Sequence, residues 1–276
     1  MTIGHVIADG LAFPEGPLQL PDGRVVFTEI AGGRLSYWTP ADGVRHLATS
    51  GGGPNGAALG ADGCIYVTQN GGVGDERLTP GLQCIATDGT VSMLTTEIDG
   101  VRLDAPNDLA FGPDGRLWFT DPRGDAAGTN LLPGRLFAYD VNTGDGEVVV
   151  ELEAVYPNGI GFADDGTLLW TESFSRRVMA LSASGPQVVV ELPDRHFPDG
   201  FCVGTDGRLY VASTYGHCVN VVADGAVVDT LMCGDGMPTN CCFVGTTLIV
   251  TESRRGTLWS FDLGVTGLPL YTGNLA

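Results

Sequence analysis

Apolar positions in this chain fall in short runs, and a polar turn cuts each run from the next. Pro106-Asn107-Asp108 leads into Leu109-Ala110-Phe111; Asp114-Gly115 follows, and Leu117-Trp118-Phe119 then closes on Thr120-Asp121. Two apolar runs joined across Asp-Gly predict a β-hairpin whose lead-in carries an amide side chain.

The pattern recurs along the chain. Its lead-in appears as Pro14-Glu15-Gly16, Pro54-Asn55-Gly56, Pro106-Asn107-Asp108, Pro157-Asn158-Gly159, Pro198-Asp199-Gly200 and Pro238-Thr239-Asn240, with prolines 40, 52, 51, 41 and 40 residues apart. The Asp-Gly turns at Asp22, Asp62, Asp114, Asp165 and Asp206 keep step at 40, 52, 51 and 41, and Gly245-Thr246 takes the sixth place. Second strands match as well, from Val25-Val26-Phe27-Thr28 to Leu248-Ile249-Val250-Thr251. A period near 40 residues with several short strands per unit predicts an all-β fold, a six-bladed β-propeller of four-stranded antiparallel blades. Residues 1–276 then form one propeller domain. The last repeat lacks a clear fourth strand, and Gly4-His5-Val6-Ile7-Ala8 is expected to fill that place and close the ring, which removes exposed sheet edges. Blades two and three are longer. Their surplus is expected between second and third strands, as loops 69–83 and 121–134 that overhang the lead-in face as a lid or by neutral growth.

Composition narrows the function. Apolar residues make up 43% and charged residues 17%, which suits a globular chain with much to bury. A net charge of -19 argues against nucleic acid or an anionic membrane as partner. The 7 cysteines are odd in number and show no CxxC spacing, so they read as reduced, buried, small apolar residues of a cytoplasmic protein, with Cys241 and Cys242 on opposite strand faces. No basic-then-apolar leader is seen at the N-terminus, and no apolar run approaches a bilayer span. The expected partner is a small-molecule substrate, and the expected assembly a monomer or homodimer.

First strands line the central channel of a propeller, so the residue after each lead-in proline should approach one axis. Those residues are Glu15, Asn55, Asn107, Asn158, Asp199 and Thr239, and each offers an oxygen. Two carboxylates with amide carbonyls suit a hard divalent cation, and Glu15 with Asp199 would neutralise it. Taken singly, each lead-in is also an ordinary turn sequence. A second ring, Glu29, Gln69, Asp121, Glu172, Ser213 and Glu252, ends the second strands on the same side, either at the channel mouth or as exposed strand ends. Arg102, just ahead of the blade-three lead-in, is either a contact for a substrate carboxylate or hydroxyl or a surface arginine. The four histidines have no ligand spacing, and no GxSxG, P-loop or GxGxxG is present.

On Phe13-Pro14-Glu15-Gly16-Pro17, the Pro106-Asn107-Asp108 segment through Thr120-Asp121-Pro122, Tyr156-Pro157-Asn158-Gly159 and Pro198-Asp199-Gly200, the chain resembles the SMP-30/gluconolactonase/regucalcin-like (LRE) family. The resemblance implies one divalent cation in the channel, usually Ca2+, with Zn2+, Mn2+ or Mg2+ as alternatives. It implies Glu15, Asn158 and Asp199 as metal ligands, with Asn107 binding substrate or completing the shell. Asp199 matches the residue proposed as general base; a metal-bound carboxylate is a weak base, so Glu172 or Asp121 stands as the alternative. Asn55 is a substrate-binding candidate from the repeat alone. The implied activity is hydrolysis of a small lactone. Organophosphate hydrolysis, other small-metabolite chemistry at the same site and a non-catalytic metal-binding propeller are the rival readings.

Overall fold

A computed structural model describes residues 4–72 and 77–274. The chain forms six four-stranded antiparallel sheets. Blade one is Pro14–Gln19, Val25–Glu29, Arg34–Thr39 and Gly43–Thr49; the next four blades follow the same meander, with first strands Pro54–Leu59, Leu109–Phe111, Pro157–Phe162 and Pro198–Val203. Blade six has Pro238–Val244, Thr247–Glu252 and Thr257–Asp262, and its outer strand is His5–Ala8, paired antiparallel to Thr257–Asp262. The N-terminal strand therefore closes the ring as its position implied. Among the described residues there is no α-helix, and no helix long and apolar enough to cross a membrane.

The core is a set of layers between blades. Tyr66 and Leu82 of blade two pack with Phe111, Phe119 and Phe137 of blade three, and equivalent layers join the other neighbours. Cys241 packs in the layer between blades five and six, Cys242 with Val25 of blade one, so the adjacent pair does face opposite ways. All seven cysteines are free thiols, but Cys64, Cys84 and Cys202 are only half-buried, short of the full burial expected.

Blade three carries its surplus where expected, between second and third strands, but as strand and not loop; blade two carries only part of its surplus there. In blade three the insertion is mostly strand: Leu117–Gly124 and Leu131–Tyr139 extend the hairpin past a bulge at Asp121–Arg123, leaving a short turn. In blade two the loop between Gln69 and Gly81 is shorter than its surplus, and a small hairpin, Glu97–Ile98 with Val101–Arg102, takes up the rest. Val73–Glu76 of the 69–83 loop lie outside the described residues.

The C-terminal segment after Asp262 carries none of the repeat's landmarks. It runs across the far end of the channel. Thr205 N–H donates to Thr266 O (2.8 Å), Leu268 N–H to Val203 O (2.9 Å) and Ala61 N–H to Thr272 O (2.8 Å), while the Tyr271 ring meets Phe162 edge-on at 5.9 Å. The strap and the blade ends enclose an apolar cavity of about 600 Å³ at that end.

Candidate active site

Each lead-in is built to aim one side chain. The register slips within the motif in five blades, between Glu15 and Leu18, Pro54 and Ala57, Pro157 and Ile160, Pro198 and Phe201, and Pro238 and Asn240. A bulge of this kind turns a side chain out of the strand's alternation, here towards the axis. Neighbouring blades are then stitched at the same level. Thr28 Oγ1 donates to Asn55 O (2.5 Å), Thr68 Oγ1 to Asn107 O, Thr120 Oγ1 to Asn158 O (2.6 Å) and Thr171 Oγ1 to Asp199 O (2.7 Å). The second-strand threonines thus fix the backbone of the next blade's channel residue.

Five of the six channel residues, Glu15, Asn55, Asn107, Asn158 and Asp199, are buried, at 4–8% exposure, within this stitched ring. Thr239 is also buried, but its hydroxyl donates to Pro14 O (2.9 Å) and joins blade six to blade one, so it closes the ring instead of offering a free oxygen. Asn158 Nδ2 donates to Ser173 Oγ (3.2 Å), whose own proton goes to Pro198 O (2.8 Å); this holds the Asn158 amide and leaves its carbonyl oxygen to the pore. Asn55 Oδ1 is buried with no hydrogen-bond partner among the described residues. A native protein rarely leaves such an atom unpaired unless a ligand serves it.

Two residues missed in the sequence complete the site. The position after each channel residue is glycine in four blades, but Asp108 in blade three and Asn240 in blade six. These blades face each other, and Asn240 Nδ2 donates to Asp108 Oδ2 across the axis at 3.2 Å. The bridge floors the ring of channel residues and roofs the far cavity. The glycines make room for it. A Cβ on Gly56 would lie 2.6 Å from Asp108 Oδ1, and one on Gly200 would collide with the Asn240 amide. Gly200→Ala should therefore cost about 1–3 kcal/mol by overpacking, read as a lower midpoint in thermal unfolding. The sequence signal was the pair of departures from glycine.

Electrostatics mark the same place. Burial, and after it the Asp108 charge, push the Glu15 carboxyl up to about 8. Burial, then Glu15 and Asp108, raise Asp199 well above the usual carboxylate range. Burial lifts Asp108 to about 6, against hydrogen bonds from Leu109 N–H and Asn240. Among the described residues no ion pair reaches any of the three. Three buried carboxyls in mutual repulsion, with the unpaired Asn55 oxygen and the Asn107 and Asn158 amides, are a donor set that fits a hard divalent cation. No three His, Cys, Asp or Glu side chains among the described residues converge enough to hold an ion by themselves, so the set that fits is mixed carboxylate and amide.

The second ring is spent elsewhere. Glu29 accepts Ala12 N–H (2.7 Å) and Arg34, Gln69 Oε1 accepts Gly53 N–H (2.5 Å), Asp121 accepts Ala105 N–H (2.7 Å) and Asp104 N–H, and Glu252 accepts Met237 N–H (2.6 Å). Each fastens the loop that delivers its own blade's lead-in. Glu172 accepts Ser175 Oγ (2.7 Å) and Trp170 Nε1 (3.2 Å), and Ser213 Oγ accepts Asn220 Nδ2 (2.6 Å). Asp121 and Glu172 are thus engaged as structural acceptors. Arg102 is exposed on the two-stranded hairpin between blades two and three, opposite Glu97, and is not brought into the ring.

A six-bladed propeller with a buried ring of carboxylates and amides on its axis defines a protein whose site lies in the propeller channel. Residues 13–254 match the family model described as SMP-30/Gluconolactonase/LRE-like region, and the chain belongs to that family. It is similar to a gluconolactonase of Zymomonas mobilis, at 26% identity covering 91% of this chain and 79% of that one. It is similar to diisopropyl-fluorophosphatase of Loligo vulgaris, at 28% identity covering 74% and 71%. In fold it is similar to regucalcin of Agrobacterium tumefaciens, described as a calcium-binding protein, with a TM-score of 0.81 and 18% identity over 99% of this chain and 98% of that one.

Proposed function

We propose that this protein is a cation-dependent hydrolase of small lactones. The observation that carries the reading is the buried pairing of Glu15 and Asp199 on the axis, with no basic side chain among the described residues to balance them and an orphaned Asn55 oxygen in the same ring. The gluconolactonase relative supports the substrate class. Glu15, Asn158 and Asp199 would hold the cation, Ca2+ before Zn2+, Mn2+ or Mg2+, with Asn107 completing the shell or meeting substrate. A cation there would polarise the lactone carbonyl and offset the charge growing on its oxygen. Asn55 and Asn107 orient the lactone through their amides. Asp199 takes hydrogen bonds from Gly200 N–H and Asn158, and its other lone pairs accept a proton from the attacking water. The acyl–oxygen bond then breaks, and the proton passes to the ring oxygen as it leaves as a hydroxyl. The Asp108–Asn240 bridge closes the pore to solvent from below.

A second reading, organophosphate hydrolysis at the same ring, is supported by the Loligo vulgaris relative. A third, a binding propeller without turnover, is supported by the regucalcin fold match. Chelator-stripped protein given lactones and diisopropyl fluorophosphate, before and after Ca2+, separates the three. Lactone turnover lost on stripping and restored by Ca2+ is the expected result. Turnover indifferent to the chelator would refute the cation's role, turnover of the phosphorus ester alone would favour the second reading, and Ca2+ binding without turnover the third.

A further inference from the structure

The residue before each lead-in proline stands at the channel mouth, and its type divides the rim in two. On blades one, four, five and six it is Phe13, Tyr156, Phe197 and Met237; on blades two and three it is Gly53 and Ala105. On blades four and five the rings form a continuous arc. Tyr156 meets Phe174 with ring centroids 5.8 Å apart, Phe174 meets Phe197 at 5.7 Å, and Phe197 meets Tyr215 at 5.4 Å, all edge-on. Tyr215 is 51% exposed and Phe13 36%. The inserted hairpin of blade three buttresses the arc, with Gly128 packed so closely on the Phe174 ring that a Cβ there would collide.

Two features set this rim apart from an ordinary apolar edge. Phe13 and Tyr156 hold φ of 61° and 58°, a left-handed backbone that costs a bulky residue energy and that glycine would adopt freely. Rings held at that cost point to a use for them. Tyr156 also directly precedes Pro157 and the channel residue Asn158, which puts the end of the arc next to the ring of channel residues. A polyhydroxylated substrate would need polar side chains at this level. Of the second ring that could have supplied them, Glu29, Gln69, Asp121 and Glu252 fasten the lead-in loops, and Glu172 and Ser213 accept from Ser175 and Asn220.

We infer that the channel mouth takes lactones bearing an apolar substituent, the lactone head on the channel amides and the substituent against Tyr156, Phe174, Phe197 and Tyr215. This rests on the lactone-hydrolase reading, and the experiment keeps the two apart. With Ca2+ present, kcat/KM is measured for glucono-1,5-lactone and for alkyl- and phenyl-substituted δ-lactones, in the wild type, Phe197→Ala and the exposed-site variant Tyr215→Ala. The wild type should prefer the apolar lactones, and both variants should lower that preference about 10-fold, chiefly through KM. A preference for the polyol, or variants that leave the ratio unchanged, would overturn the inference. If no lactone is hydrolysed, the hydrolase reading fails by itself, and calorimetric binding of the matching lactams decides the pocket. Tighter binding of the apolar lactam, lost in Tyr215→Ala, supports the wall; tighter binding of the hydroxylated lactam, or no binding of either, refutes it.

Discussion

Asp199→Asn should lower kcat/KM for the lactone substrate on the order of 10³-fold. The substitution keeps the shape and one oxygen but removes both a charge that offsets the cation and the lone pairs that accept the water's proton. Its neighbours are fixed independently: Thr171 holds the Asp199 carbonyl and Ser173 holds Asn158 and the Pro198 carbonyl, so the fold around it should survive. The comparison variant is Asp121→Asn. Asp121 is fully buried, but its oxygens serve Asp104 and Ala105 N–H. That variant should unfold at lower temperature while the folded fraction keeps its kcat within a few-fold. Equal kinetic losses in the two variants would mean that the acid ring, and not Asp199, carries the chemistry.

Without a divalent cation, the protein should lose stability as pH rises from 5 to 8. Glu15 is lifted from 4.5 to about 8 by burial and Asp108, Asp199 is lifted by burial and Glu15, and Asp108 is lifted by burial to about 6. A carboxyl with a raised folded pKa binds its proton more tightly in the folded chain. Its contribution is therefore full below the unfolded value and is lost as pH climbs through the folded one. For Glu15 alone the loss is roughly 3–5 kcal/mol across that window. The carboxylates with lowered values, such as Glu29 beside Arg34 and Ser36, act in the opposite sense and below this range. Ca2+ bound there would keep the pore carboxylates ionised, so its stabilising effect should grow with pH and its binding should release protons. Thermal midpoints of chelated and Ca2+-loaded protein at pH 5, 6.5 and 8 read this directly. A chelated midpoint that holds level or rises with pH would contradict it.

Much of this architecture is legible in the chain because the propeller repeats itself. Proline, Asp-Gly and Thr recur in step, and three independent landmarks fix the blade count and the missing outer strand. The channel residues follow from the same register. What escaped has a common cause: it depends on which blades face each other or on how a side chain turns. Asp108 and Asn240 are 132 residues apart and become partners only when blades three and six meet across the axis. Glu29, Asp121 and Glu252 look the same in sequence whether they face a pore or fasten a loop, and only the hydrogen bonds to Ala12, Ala105 and Met237 decide. Arg102 lies close to Asn107 along the chain, but a hairpin carries it to the outside. The strap across the far end has no periodicity to read, and its order comes from the blade ends it crosses.

The central claim is one divalent cation on the propeller axis, tested by long-wavelength anomalous scattering from crystals grown with Ca2+. One strong peak should stand within about 2.3–2.6 Å of oxygens from Glu15, Asn158 and Asp199. A pore without a peak, or Ca2+ bound only outside it, would contradict the claim.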